Sequence, residues 1–95
     1  MAITSIKTIK IQPDILFQEV RGETVLLNLD NENYFGLDEV GTFFWKLLQE
    51  NNDFQKVFDI MLDEYEVDAA QLEKDLNKLV EKMVEAGLIN ISTED

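Results

Sequence analysis

Val25-Leu26-Leu27-Asn28-Leu29-Asp30-Asn31-Glu32-Asn33-Tyr34-Phe35-Gly36-Leu37-Asp38 reads as two strands joined by a polar loop and running straight into a helix. Val25, Leu27 and Leu29 fall on one face of the leading strand, with Leu26 and Asn28 opposite, because side chains alternate along a strand. Asp30-Asn31-Glu32-Asn33 is rich in residues that tolerate tight turns. In the strand that follows, Tyr34 and Gly36 share one face and Phe35 and Leu37 the other. Asp38 is a good helix N-cap. A short antiparallel meander of this kind ends in an edge strand, whose unpaired N–H and C=O groups can accept a peptide as an extra strand.

Working outward towards the N-terminus, Arg21-Gly22-Glu23 is a turn, and Ile15, Phe17 and Val20 suggest an earlier strand. Residues 3–11 alternate loosely through Ile6, Ile9 and Ile11, and Pro13 interrupts them; they form either a short strand or a tail that packs locally. After Asp38 the apolar period changes from two to that of a helix. Val40, Phe43, Phe44, Leu47 and Leu48 form one continuous helical face, with Trp45 expected half-buried at its margin. Asn51-Asn52 breaks this helix. Asp53 caps a second, whose apolar face is Phe54, Val57, Phe58, Met61, Leu62 and Tyr65.

A third helix carries the fullest set of end signals. Asp68 and Gln71 are spaced as a capping box, and Val67 and Leu72 as a hydrophobic staple. Gly87 stands where a left-handed C′ residue is needed, with Leu88 able to fold back onto Met83. Leu72, Leu76, Leu79, Val80 and Met83 form the buried face, flanked by the row Asp68, Gln71, Asp75, Lys78, Lys82. Leu88, Ile89 and Ile91 are positioned for a short terminal strand. The expected fold is α+β and winged-helix-like: a three-stranded antiparallel sheet covered on one face by three helices, burying every apolar face named above.

Ninety-five residues suit a single domain spanning 1–95. There is no cysteine and no histidine. Thiol catalysis, disulfides, Ser-His and Cys-His nucleophile pairs and imidazole metal ligands are therefore excluded. No apolar run approaches the roughly 20 residues of a membrane span, and Met1-Ala2-Ile3-Thr4-Ser5 lacks the features of a signal peptide, so a cytoplasmic location is expected. The acidic residues Asp59, Asp63, Glu64, Glu66 and Asp68 invite a calcium reading. Counting from Asp63, however, the alternate positions hold Tyr65 and Val67, and the stretch has no glycine in its middle, unlike a calcium-binding helix-loop-helix. The expectation is a domain with no catalytic residues, no metal and no cofactor.

Twenty acidic residues against eight basic ones give a formal net charge of −12. Nucleic-acid binding relies on Lys and Arg displacing counterions, so this balance opposes a winged-helix regulator that reads DNA with its third helix. That helix exposes Glu73, Asp75, Glu81 and Glu85 alongside Lys74, Lys78 and Lys82. A small adaptor or dimerisation domain, its edge strand pairing with a second copy, is the other alternative.

Two runs carry a family resemblance. They are Val25-Leu26-Leu27-Asn28-Leu29 with Tyr34-Phe35-Gly36-Leu37-Asp38-Glu39-Val40-Gly41 and Trp45-Lys46-Leu47-Leu48, and Asp75-Leu76-Asn77-Lys78-Leu79-Val80-Glu81-Lys82-Met83 with Gly87-Leu88-Ile89. Together, over about residues 14–90, they resemble the PqqD-like family. The resemblance implies a RiPP recognition element, a stand-alone module that binds the leader segment of a ribosomally made precursor peptide as a strand. It would present that peptide to a modifying enzyme such as a radical-SAM enzyme or a lasso-peptide protease. It further implies a groove between the third strand and the third helix. The corresponding residues are Tyr34, Phe35, Gly36 and Leu37 on the strand, with Leu72, Asp75, Leu76, Leu79 and Lys82 on or beside the helix. The strong acidity is not a hallmark of the family.

Overall fold

The computed structural model describes residues 6–93 in the order β1 (Ile6–Ile11), β2 (Ile15–Val20), β3 (Glu23–Asn28), β4 (Asn33–Leu37), α1 (Glu39–Glu50), α2 (Phe54–Glu64), α3 (Ala69–Glu85) and β5 (Ile89–Thr93). Residues 3–5 of the first apolar stretch lie outside that range. The strands form two sheets rather than one. β2, β3 and β4 make an antiparallel meander with β3 in the centre, while β1 pairs antiparallel with β5. The N-terminal segment is thus a true strand. It finds its partner in the chain's last strand, a pairing that no local pattern announces.

The meander is closed by local chemistry. Arg21 and Gly22 both have positive φ, as a two-residue type I′ hairpin turn requires. In the second loop the Asn28 side chain accepts from Asp30 N–H at 2.9 Å, and that of Asn31 accepts from Asn33 N–H at 2.9 Å. These are the side-chain turns for which Asn is favoured.

The core sits on the face of β3 opposite to the one its leucine pattern suggests. Thr24, Leu26 and Asn28 are buried, whereas Val25 is 49% and Leu29 47% exposed. Counting apolar residues favours Val25, Leu27 and Leu29; the two polar residues on the other face are buried because both are satisfied. Thr24 and Thr42 hydroxyls bond at 2.8 Å, tying β3 to α1. The Asn28 amide donates to the Gly87 carbonyl at 3.0 Å, tying β3 to the end of α3. Buried polar groups are tolerated when paired in this way. Consequently the outer face of the meander is apolar and open, with Leu16, Leu27 and Tyr34 aligned across the three strands.

α1 packs on β3 and β4 and also touches β1 and α2. Covered on more than one side, it buries Trp45 to 2% exposure, with Phe17 edge-on to the indole at 5.8 Å. The indole is therefore core rather than half-buried at a margin, and Val40, at the other margin, is the exposed one. Asp38 caps α1 by accepting from Gly41 N–H at 2.8 Å, and Asp53 caps α2 through Gln55 and Lys56 N–H. At α3 the expected capping box does not form. The Asp68 side chain makes no cap bond, and Gln71 reaches forward to Asp75 at 2.9 Å instead. Val67 is 44% exposed, so the expected staple leaves much of it open to water. The other end is as expected. Gly87 has φ +74, Gly87 N–H bonds Val84 C=O, and Leu88 N–H bonds Met83 C=O, each at 3.0 Å. That pair of bonds is the Schellman motif.

Candidate functional site

Which backbone groups of β4 are free follows from the turn before it. In a two-residue hairpin the flanking pair, here Val20 and Glu23, exchanges both hydrogen bonds, and bonded pairs then alternate. Glu23, Val25 and Leu27 thus direct their backbone groups to β2, leaving Thr24, Leu26 and Asn28 to bond β4. Their partners are Leu37, Phe35 and Asn33. The remaining residues of β4, Tyr34 and Gly36, turn their N–H and C=O away from the sheet. They form the open edge.

Beside that edge runs α3. Phe35, Gly36, Leu37, Asp38, Gly41, Leu79 and Lys82 line a hollow of about 240 Å³. It continues into a second of about 230 Å³, lined by Asp38, Val40, Gly41, Asp75, Leu76 and Leu79. The floor is apolar; Lys82 lines only the first hollow, with Phe35 and Gly36, Asp75 lines only the second, with Val40, and Asp38 lines both. A larger hollow of about 340 Å³ lies among Leu16, Phe17, Gln18, Val25, Leu27 and Tyr34. Apart from Phe17 its lining stands on the outer face of paired strands; β2 has an open edge of its own, but the smaller groove lies between an open strand edge and a helix, and is the better peptide site.

The groove is held open by fixed contacts. Gly41 admits α1 close to the strand end: a Cβ there would stand 3.1 Å from Leu37 Cδ2. At the far end the Asn28 and Asn31 amides hold the carbonyls of Ala86 and Gly87. Since Asp75 lies near Asp38 and the end of α3 near the β3–β4 loop, α3 runs opposite in direction to β4.

The nine residues named from the sequence divide into three groups. Phe35, Gly36, Leu37, Asp75, Leu76, Leu79 and Lys82 line the groove. Leu79 is only partly buried, which places it on the wall and not deep in the core. Tyr34 contributes its backbone to the edge but turns its ring, 73% exposed, to the outer face. Leu72 is buried in the core and lies outside the groove lining. Asp38, Val40 and Gly41 line the groove and were not named. The cap spacing Asp38-x-x-Gly41 was the available signal, since it sets the first turn of α1 against the end of β4. Among the described residues no group of three or more Asp and Glu side chains is placed to hold a metal ion, and no helix is long and apolar enough to cross a membrane.

The family model described as coenzyme PQQ synthesis protein D (PqqD) matches residues 23–89. Among solved structures, TbiB1 in complex with the TbiA(beta) leader peptide is 32% identical, with a TM-score of 0.81, covering 90% of this chain and 99% of that one. Lasso peptide synthetase B1 complexed with the leader peptide shares the fold, with a TM-score of 0.75 at 23% identity, covering 87% of this chain and 98% of that one. No curated protein sequence matches the chain significantly.

Proposed function

Because this chain belongs to the PqqD family, we propose that it is a non-catalytic recognition module for a leader peptide. The leader segment of a ribosomally made precursor adds to β4 as a fourth strand, in the groove against α3. The observation that carries this is the open backbone of Tyr34 and Gly36 beside a groove with an apolar floor. Strand addition supplies main-chain hydrogen bonds for any peptide, and pockets under alternate side chains supply selection. The two similar structures were solved with leader peptides bound, which supports the same class of ligand here.

A module of this kind presents its peptide to a modifying enzyme, such as a radical-SAM enzyme or a lasso-peptide protease. A peptide in the groove leaves the outer face of the meander, with the exposed Leu16, Val25 and Tyr34, uncovered for such a second contact. Isothermal titration against leader segments of precursors encoded beside this chain's gene tests the reading. A dissociation constant below about 100 μM, roughly 5.5 kcal/mol of binding free energy, supports it. No binding to any of them overturns it.

A further inference from the structure

We propose that the groove reads a charge order in its peptide, selecting strands that run basic, apolar, acidic from N- to C-terminus at alternate positions. The proposal rests on the leader-binding reading and adds the class of sequence that fits. The meander is antiparallel throughout, and antiparallel addition is the more stable continuation. A peptide antiparallel to β4 runs parallel to α3, because α3 opposes β4. Its N-terminal end therefore meets Asp75, and its C-terminal end meets Lys82.

Alternation fixes which side chains enter. Paired residues in a sheet project to the same face, so peptide residues opposite Leu37, Phe35 and Asn33 point to the groove side, while those opposite Gly36 and Tyr34 point to the outer face. Asp75 and Lys82 stand two turns of helix apart, about 10 Å along the axis. Three alternate residues of a strand span about 13 Å, and long charged side chains reach the difference. The apolar middle residue lies over Leu79 and Gly41. Among the described residues Lys82 has no ion-pair partner; the single pair is Lys46 with Glu19. Its ammonium is free for a peptide carboxylate in a chain where acidic groups outnumber basic ones.

Selection of a displayed library of random twelve-residue peptides against the full chain, at low salt, tests the order. The expected result is enrichment of basic-x-apolar-x-acidic segments. Reversing the two charges should weaken binding by about two- to fivefold for each exposed pair lost, a difference that shrinks in 0.5 M salt. Lys82→Glu should change the selected acidic residue to a basic one, and Asp75→Lys the selected basic residue to an acidic one. Both residues are exposed, and unchanged thermal melts would confirm that the variants fold; Lys82→Gln, which should merely erase the acidic preference, provides a second check. Enriched peptides with no charge order, or the reverse order, overturn this proposal and leave peptide recognition standing. No enrichment at all overturns both.

Discussion

The Asn28 side-chain amide donates to the Gly87 carbonyl at 3.0 Å, joining the central strand of the meander to the end of α3. The bond sets the width of the groove at one end, because α3 can move away from β4 only by breaking it. Asn28→Ala leaves a carbonyl and the Asp30 N–H without their partners, which costs about 1–3 kcal/mol. Urea melts should show that loss, and peptide affinity should fall with it.

Gly87 is held on both counts that favour glycine. Its φ is +74, and a Cβ would stand 2.9 Å from Asn28 Nδ2. Gly87→Val should destabilise the fold by roughly 1 kcal/mol or more through backbone strain alone, and should displace the Asn28 amide as well. A chemical-denaturation midpoint equal to that of the parent protein would contradict this.

The face of β3 that carries the core can be read directly from two substitutions. Leu26→Ala, at a fully buried site, should cost about 2–5 kcal/mol. Val25→Thr, on the open outer face, should change stability by no more than about 0.5 kcal/mol. Equal losses would mean that the outer face is covered.

Burial raises the ionisation of Tyr65 above its ordinary value of 10.0, and Glu64, Glu39 and Asp38 push it the same way. The folded chain therefore holds that phenolic proton more tightly than the unfolded one. Its contribution to stability is complete below the unfolded value and is lost as pH rises through the folded one. Denaturation midpoints above pH 10 should fall more steeply in the parent protein than in Tyr65→Phe. With Tyr34→Phe as background, Tyr65 is the only tyrosine, and absorbance titration should place its ionisation above 10.

Much of this architecture is readable in the chain because its signals are local. The Arg21-Gly22 turn, the Asp38 and Asp53 caps and the Gly87 helix end each depend on a few neighbouring residues. What escapes a sequence reading is decided at long range. The inward face of β3 is set by Thr42 and Gly87, which satisfy Thr24 and Asn28 from distant elements. Trp45 is buried because α1 is covered on several sides. The β1–β5 pairing joins the two ends of the described chain. The groove divides in a similar way: its α3 and β4 residues are those that the family resemblance implies, on elements that periodicity locates, whereas Asp38, Val40 and Gly41 join it only because α1 turns back against Leu37.

The most direct test of the account is residue-resolved amide hydrogen exchange by NMR, with and without a leader peptide that binds. The amides of Tyr34 and Gly36 should exchange freely in the unbound protein and become protected on binding, since they are the outward donors of β4. Those of Phe35 and Leu37, already bonded to β3, should be slow in both states. Protection appearing instead at Phe17 and Glu19, the outward residues of β2, or at no strand edge, would contradict the account.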